Sequence, residues 1–196
     1  MADAGRVIAG TARGIRLTAP GEGTRPFGDR VKQTLFAILD PSIRGARVLD
    51  LFAGSGAAGI EALSRGAALA VFVERDREAV TVIQANLRRT HLEDRARVVR
   101  TDTLGWLRSG GTPVEPWTIA VVDPPYADER ALHATLEALA RPGVVHPDGW
   151  VVAKHFWRTP LPATVGLLAS ARERRFGETA LTFYRVAAEP APTEEP

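Results

Sequence analysis

The tightest constraint in the chain lies in residues 48–61. The run Val48-Leu49-Asp50-Leu51 is β-forming and apolar apart from one acid. Gly54, Gly56 and Gly59 follow at close spacing, and a segment of helical character begins at Ile60. A strand, a glycine turn and a helix N-terminus, in that order, make the place where an α/β sheet holds a nucleotide-like ligand at the carboxyl ends of its strands. Glycine suits such a turn because a Cβ would restrict the bend and keep a ligand at a distance.

The spacing Gly54-x-Gly56-x-x-Gly59 also satisfies the dinucleotide fingerprint, and Glu74 falls about where that fingerprint wants its ribose acid. Asp50 separates the readings. A carboxylate four residues before the first glycine would repel a diphosphate. It suits a ligand that is cationic at its centre, such as the sulfonium and ammonium of S-adenosylmethionine. A plain strand–helix turn capped by Ser55 needs neither the three glycines nor the acid.

The rest of the chain alternates. Further strands are predicted over residues 68–74, 96–100, 117–123 and 150–155. Helices are predicted over 60–65, 77–89 and 130–140, with a short one carrying Leu104 and Leu107. An earlier helix has Asp29 as its N-cap, Val31, Leu35, Ile38 and Leu39 at helical spacing, and Pro41 as its stop. Phe36 and Ile38 read as core. Strands over 173–176 and 180–187, around a turn at Gly177, close the sheet. The order predicts a Rossmann-like α/β fold: a mainly parallel seven-stranded sheet, helices on both faces and an antiparallel closing strand.

Three regions are expected. Residues 1–28 form a basic arm, with a β-hairpin over 6–10 and 14–17 and a loop over 20–28. Residues 29–188 form the α/β domain. Residues 189–196, rich in Pro and Glu, form a disordered acidic tail. The chain has no cysteine, which excludes disulfides, cysteine zinc sites and thiol catalysis. No metal site is expected. No apolar run reaches transmembrane length and no signal-peptide core is present, so the expectation is a cytoplasmic protein without a membrane partner. The net charge is only +2, but Arg6, Arg13, Arg16, Arg25, Arg30 and Lys32 face just two acids over residues 6–32. That imbalance reads either as a phosphate-binding arm or as a solvated hairpin.

Four acids stand at predicted strand ends: Asp50, Glu74, Asp102 and Asp123. Such ends converge on one crevice. Glu74 is placed for a ribose diol. Asp102 could accept from an adenine amino group or cap the short helix after it. Asp123 opens the turn Asp123-Pro124-Pro125-Tyr126. Two prolines stiffen that turn and remove two N–H donors, leaving acceptors. A carboxylate beside them suits an NH2 group, which offers two donors. Tyr126 can stack on a flat base, a contact worth roughly 1–3 kcal/mol. The set reads as a clamp for a planar exocyclic amine, whose lone pair it would aim at a methyl group.

The glycine motif and Asp-Pro-Pro-Tyr together resemble class I S-adenosylmethionine-dependent amino-methyltransferases. Arg6-Val7-Ile8-Ala9-Gly10, the segment over residues 25–39 and the late Arg175-Phe176-Gly177-Glu178-Thr179 narrow the resemblance to the RsmD family. It implies methylation of guanine N2 in bacterial 16S ribosomal RNA, by a monomer acting on a 30S subunit or assembly intermediate. It further implies that Asp50, Gly54, Ser55, Gly56, Glu74, Arg75, Asp102 and Thr103 bind the cofactor. Asp123, Pro124 and Tyr126 would hold the guanine, flipped out or unpaired. The chain departs from the pattern twice, with Phe27 where relatives commonly have threonine and Lys154 where many carry an acid. Neither Lys154 nor His155 is given a catalytic role, and His155 reads as a structural strand-end histidine. The rival readings are an adenine-N6 methyltransferase, an NAD-dependent oxidoreductase and a non-catalytic RNA-binding protein.

Overall fold

The structure is a computed structural model that describes residues 2–21, 27–110 and 115–187. In chain order the strands and α-helices are β1 (Ala2–Arg6), β2 (Arg16–Ala19), α1 (Asp29–Leu39), β3 (Arg47–Leu51), α2 (Ala57–Ser64), β4 (Leu69–Glu74), α3 (Arg77–Thr90), β5 (Ala96–Arg100), α4 (Thr103–Arg108), β6 (Trp117–Val122), α5 (Glu129–Leu139), β7 (Val145–Phe156), β8 (Thr164–Val165), β9 (Leu168–Phe176) and β10 (Thr179–Val186). β1 and β2 form a separate hairpin. The others form one sheet in the order β5-β4-β3-β6-β7-β10-β9-β8.

β5, β4, β3, β6 and β7 run parallel; β10, β9 and β8 follow in antiparallel pairs. The sheet therefore has eight strands where seven were predicted. The extra one, β8, is two residues long and has no run of alternation to betray it. Side chains alternate across the sheet. Val48, Ala70 and Phe72 face the core with α1, α2 and α3, while Leu49, Leu51, Val71 and Val73 face the core with α4 and α5. Among the described residues no helix is long and apolar enough to cross a membrane.

The basic arm packs into the first of these cores through Ala4, Val7, Ala12, Leu17 and Ala19. Its hairpin is displaced outward from the predicted strands. Residues 8–12 leave the ladder because α2 captures their backbone. Glu61, fully buried, accepts from Ile8 N at 2.7 Å and Ala9 N at 3.0 Å, and Ser64 Oγ accepts from Ala12 N at 3.0 Å. Asn86 of α3 repeats the device on β2, accepting from Thr18 N at 3.0 Å and donating to Thr18 O at 2.8 Å. A second correction concerns α1. Gly28 is its N-cap and Asp29 its first residue, with no side-chain cap. The Asp29 carboxylate instead meets Arg6 and Lys32. Arg25 and the predicted acidic tail lie outside the described residues.

Gly59 shows how tightly strand and helix pack. A Cβ there would lie 2.3 Å from Phe72 Cε1, 2.7 Å from Phe72 Cζ and 3.1 Å from Asp50 Oδ2. Gly→Ala within a helix ordinarily stabilises by about 0.5–1 kcal/mol. Here Phe72 is fully buried and has nowhere to go. Gly59→Ala is expected to destabilise by about 1–3 kcal/mol, the usual cost of overpacking. Thermal unfolding should show it as a midpoint lowered by about 2–4 °C per kcal/mol.

Candidate active site

β3 pairs with β4 on one side and β6 on the other, so the chain winds away from β3 in both directions. The crevice beyond the carboxyl ends of such a pair is where open α/β sheets bind ligands. A cavity of about 1230 Å³ opens there. Phe52 and Gly54 after β3, Glu74 after β4, Asp102 and Thr103 after β5, and Asp123 to Tyr126 after β6 all line it.

The glycine turn is held by hydrogen bonds. Gly54 and Gly56 both have positive φ, and Gly56 is the left-handed N-cap of α2. Glu74 bridges two loops, accepting from Gly54 N at 2.9 Å and Asp76 N at 2.9 Å. Each carboxylate oxygen keeps a further lone pair for a diol. Phe52 is held at φ 59°, a region that bulky residues rarely enter, and its ring lines the cavity. Nothing in the residue order signals that strain.

Asp50 is buried behind the turn and does not line the cavity. Its Oδ2 accepts from Gly59 N at 2.8 Å, joining the end of β3 to α2. Burial, reinforced by the charges of Asp123 and Glu74, pushes its carboxyl up to about 8. Ser55 and Gly56 also stand back from the cavity, whereas Gly54, Glu74, Arg75, Asp102 and Thr103 line it. Asp102 caps α4, its Oδ1 accepting from Gly105 N at 2.8 Å. That fulfils the capping alternative and leaves Oδ2 for a ligand.

The Asp-Pro-Pro-Tyr turn faces the same space. Asp123 N is tied to Leu51 O at 3.3 Å, so the turn is set against the glycine loop. Tyr126 is half-buried; its hydroxyl meets Thr179 Oγ1 at 2.6 Å and its ring lies 6.2 Å from that of Phe156. The ring lines the cavity and does not turn into the interior. Asp123 has a partner that residue order did not reveal. Lys154 Nζ, from β7, donates to Oδ1 at 2.8 Å and Oδ2 at 2.9 Å. Phe156, Arg108, Arg130 and Glu178 join the lining and were also missed. They sit at element ends whose convergence only the folded topology reveals. His155 is structural in its contacts: Nε2 meets Thr182 Oγ1 at 2.9 Å and Nδ1 meets Phe156 O at 3.0 Å. Burial lowers its pKa and keeps the ring neutral.

The predicted phosphate-facing cations divide. Arg6, Arg13, Arg16 and Arg30 are exposed, with Arg16 paired to Asp3 at 2.8 Å. Lys32 is a correction. It is wholly buried in α1, its ammonium donating to Arg6 O, so it fastens the arm and cannot meet a phosphate. The arm reaches the cavity at Pro20 and Gly21, which join the lining.

The profile of the family described as conserved hypothetical protein 95 matches residues 5–185. YlbH of Bacillus subtilis is 38% identical over 181 residues, covering 92% of this chain and 98% of that protein. Ribosomal RNA small subunit methyltransferase D of Escherichia coli is 37% identical over 181 residues, covering 92% of this chain and 89% of its own. Among solved structures, Escherichia coli YhhF superposes with a TM-score of 0.83 at 34% identity, covering 94% of this chain and 98% of that one.

The raised Asp50 carboxyl has a consequence for stability. Between pH 3.8 and about 8 the unfolded chain releases a proton that the folded chain retains, so this group's contribution to stability falls as pH rises. Asp50→Asn removes that dependence and can still accept from Gly59 N. The melting temperature of the variant minus that of the wild type is expected to grow from pH 4 to pH 8 and then level off. A difference constant with pH would show that Asp50 titrates normally.

Proposed function

The chain belongs to the RsmD/YlbH family of rRNA methyltransferases, and on that premise we propose that it transfers a methyl group from S-adenosylmethionine to the exocyclic N2 of a guanine in bacterial 16S ribosomal RNA. The supporting observation is one cavity walled on one side by Gly54 and Glu74 and on the other by Asp123, Pro124 and Tyr126. Its volume of about 1230 Å³ leaves room for a cofactor and a base together. The cofactor is a ligand this lining fits. Glu74 offers lone pairs to a ribose diol, Asp102 and Thr103 lie where an adenine would reach, and the surrounding acids favour a cation.

S-adenosylmethionine supplies an electrophilic methyl group on a sulfonium. The chain supplies position and charge. Asp123 accepts from the NH2 of the target base, and the proline turn adds rigid acceptors beside it. Tyr126, fixed through its hydroxyl on Thr179, gives the base a flat wall. Held through its hydrogens, the nitrogen presents its lone pair to the methyl carbon. With the cofactor bound as the methyl donor, the nitrogen that accepted the methyl group would lose one proton, which the Asp123 carboxylate is placed to take. Exposed Arg6, Arg13 and Arg16 on the arm and Arg30 on α1, with Arg75, Arg108 and Arg130 along the cavity lining, would hold phosphates on either side of a flipped nucleotide. Those contacts position the RNA without reading its sequence, so RNA shape within a 30S subunit or assembly intermediate would select the site.

Methyl transfer from labelled cofactor to under-modified small subunits, followed by mass spectrometry of nucleosides, should give N2-methylguanosine; N6-methyladenosine would replace this reading with its rival. Asp123→Ala should lower turnover by at least about 100-fold, within the range of a lost positioned acid or base group. Cofactor affinity measured by calorimetry should change far less, and equal losses in both would remove Asp123 from the clamp. Replacing Arg13, Arg16 and Arg30 with glutamine should flatten the salt dependence of RNA binding by roughly one unit of slope for each phosphate no longer held. An unchanged slope would take the arm out of the RNA-binding surface.

A further inference from the structure

We propose that Lys154 is a positioning residue for the amine clamp: its ammonium grips both oxygens of the Asp123 carboxylate, favours its charged form and keeps it at the cavity wall while leaving it free to receive the base. The proposal rests on the guanine reading for the identity of the base, but not for the ion pair itself.

Lys154 projects from β7 into the space between two aromatic rings. Its Nζ lies 4.9 Å from the centre of the Phe27 ring and 5.4 Å from that of Tyr126. The side chain is 6% exposed, so this is not a solvated surface pair. The nitrogen reaches both carboxylate oxygens almost equally, at 2.8 and 2.9 Å. A two-oxygen grip of this kind fixes the carboxylate plane, which a single donor would leave free to swing. It also uses only part of what the group can accept. An ionised carboxylate offers about four lone-pair sites. The ammonium takes one on each oxygen, and an NH2 group can use the remainder without displacing it.

The second part of the role is charge. Burial raises the Asp123 carboxyl above its ordinary value, and Lys154 opposes that rise without cancelling it. Asp50, at the end of β3, is pushed up to about 8 by its own burial, to which the charges of Asp123 and Glu74 add. Without Lys154, the half-buried Asp123 would lose the cation that offsets its desolvation, and its carboxyl would rise further. A protonated carboxyl would offer a donor where the amine needs an acceptor, and could not take the proton released in transfer. Phe27 completes the arrangement. Its face favours a cation, and its burial keeps water from competing for the ammonium.

The test is a pH series with Lys154→Met, which keeps the length and removes the charge, and Lys154→Arg, which restores it. In Lys154→Met the acidic limb of the kcat profile should move up by at least one pH unit. The rate below that limb then falls about tenfold per unit, and activity is regained as pH rises through it. Lys154→Arg should return the limb toward its wild-type position, and cofactor affinity should stay within about threefold in both variants, since no cofactor contact is assigned to this side chain. In parallel, the carbon resonance of the Asp123 carboxyl, assigned by its loss in Asp123→Asn, should titrate at higher pH in Lys154→Met than in wild type, with no RNA present. A rate reduced equally at every pH, or an Asp123 midpoint that does not move, overturns the proposal. A midpoint that moves while the product is not N2-methylguanosine leaves Lys154 in place and sinks only the identity of the base.

Discussion

The reversal of winding between β3 and β6 is the constraint on which the rest of the structure depends. Parallel strands need crossover connections, and right-handed crossovers on one side of β3 place helices on one face of the sheet. When the chain returns to add β6 and β7 on the other side, those helices fall on the opposite face. The loops after β3 and β6 then part, and the gap between them cannot be filled by either set of helices. The cavity is thus a product of topology. The residues at its walls are far apart in sequence, and the bonds from Ala53 N to Val73 O and from Asp123 N to Leu51 O hold them in one plane.

What was legible in residue order follows from that topology. The glycine turn and the acids at strand ends could be read because each is a local event: a strand stops, and its next residue must face the crevice. The parallel core was equally legible, since β4 and β6 are short apolar runs and helical patterns fall between the strands. Several of the misses are non-local. The hairpin of the arm shifted because Glu61, 53 residues from Ile8, supplies acceptors that compete with the ladder. Lys32 reads as a surface cation from its neighbours, yet the arm folds over it and caps its ammonium with the Arg6 carbonyl. Asp50 reads as a cavity acid, but the alternation that makes β3 a good strand turns its side chain behind the glycine loop toward Gly59 N.

The arm and the site are linked more closely than a hairpin appended to a domain would be. Asn86 of α3 donates both to Thr18 O on β2 and to Ser55 O in the glycine turn, at 2.8 and 2.9 Å. One side chain therefore registers the arm against the loop beneath the cavity. Buried amides of this kind are costly unless every polar atom is satisfied, and here the oxygen also serves Thr18 N. The arm's position is consequently specified by the same network that shapes the turn, which puts its exposed arginines at a fixed distance from the cavity mouth at Pro20 and Gly21.

Two departures from the pattern the sequence resembles turn out to be neighbours. Phe27 stands before α1 and Lys154 near the end of β7, with no local relation between them, yet the ammonium lies 4.9 Å from the phenyl ring. Either change alone would be costly. A lysine buried at that point without an aromatic wall would lack an apolar lining that tolerates charge, and a phenylalanine facing an acid would set a negative ring face against a carboxylate. Together they make the corner beside Asp123 one that holds a cation. Among the acids at the carboxyl ends of the strands, Asp123 is the one with that ammonium beside it, Nζ lying 2.8 and 2.9 Å from its two oxygens, while Asp50 accepts from Gly59 N and is pushed up to about 8 by burial.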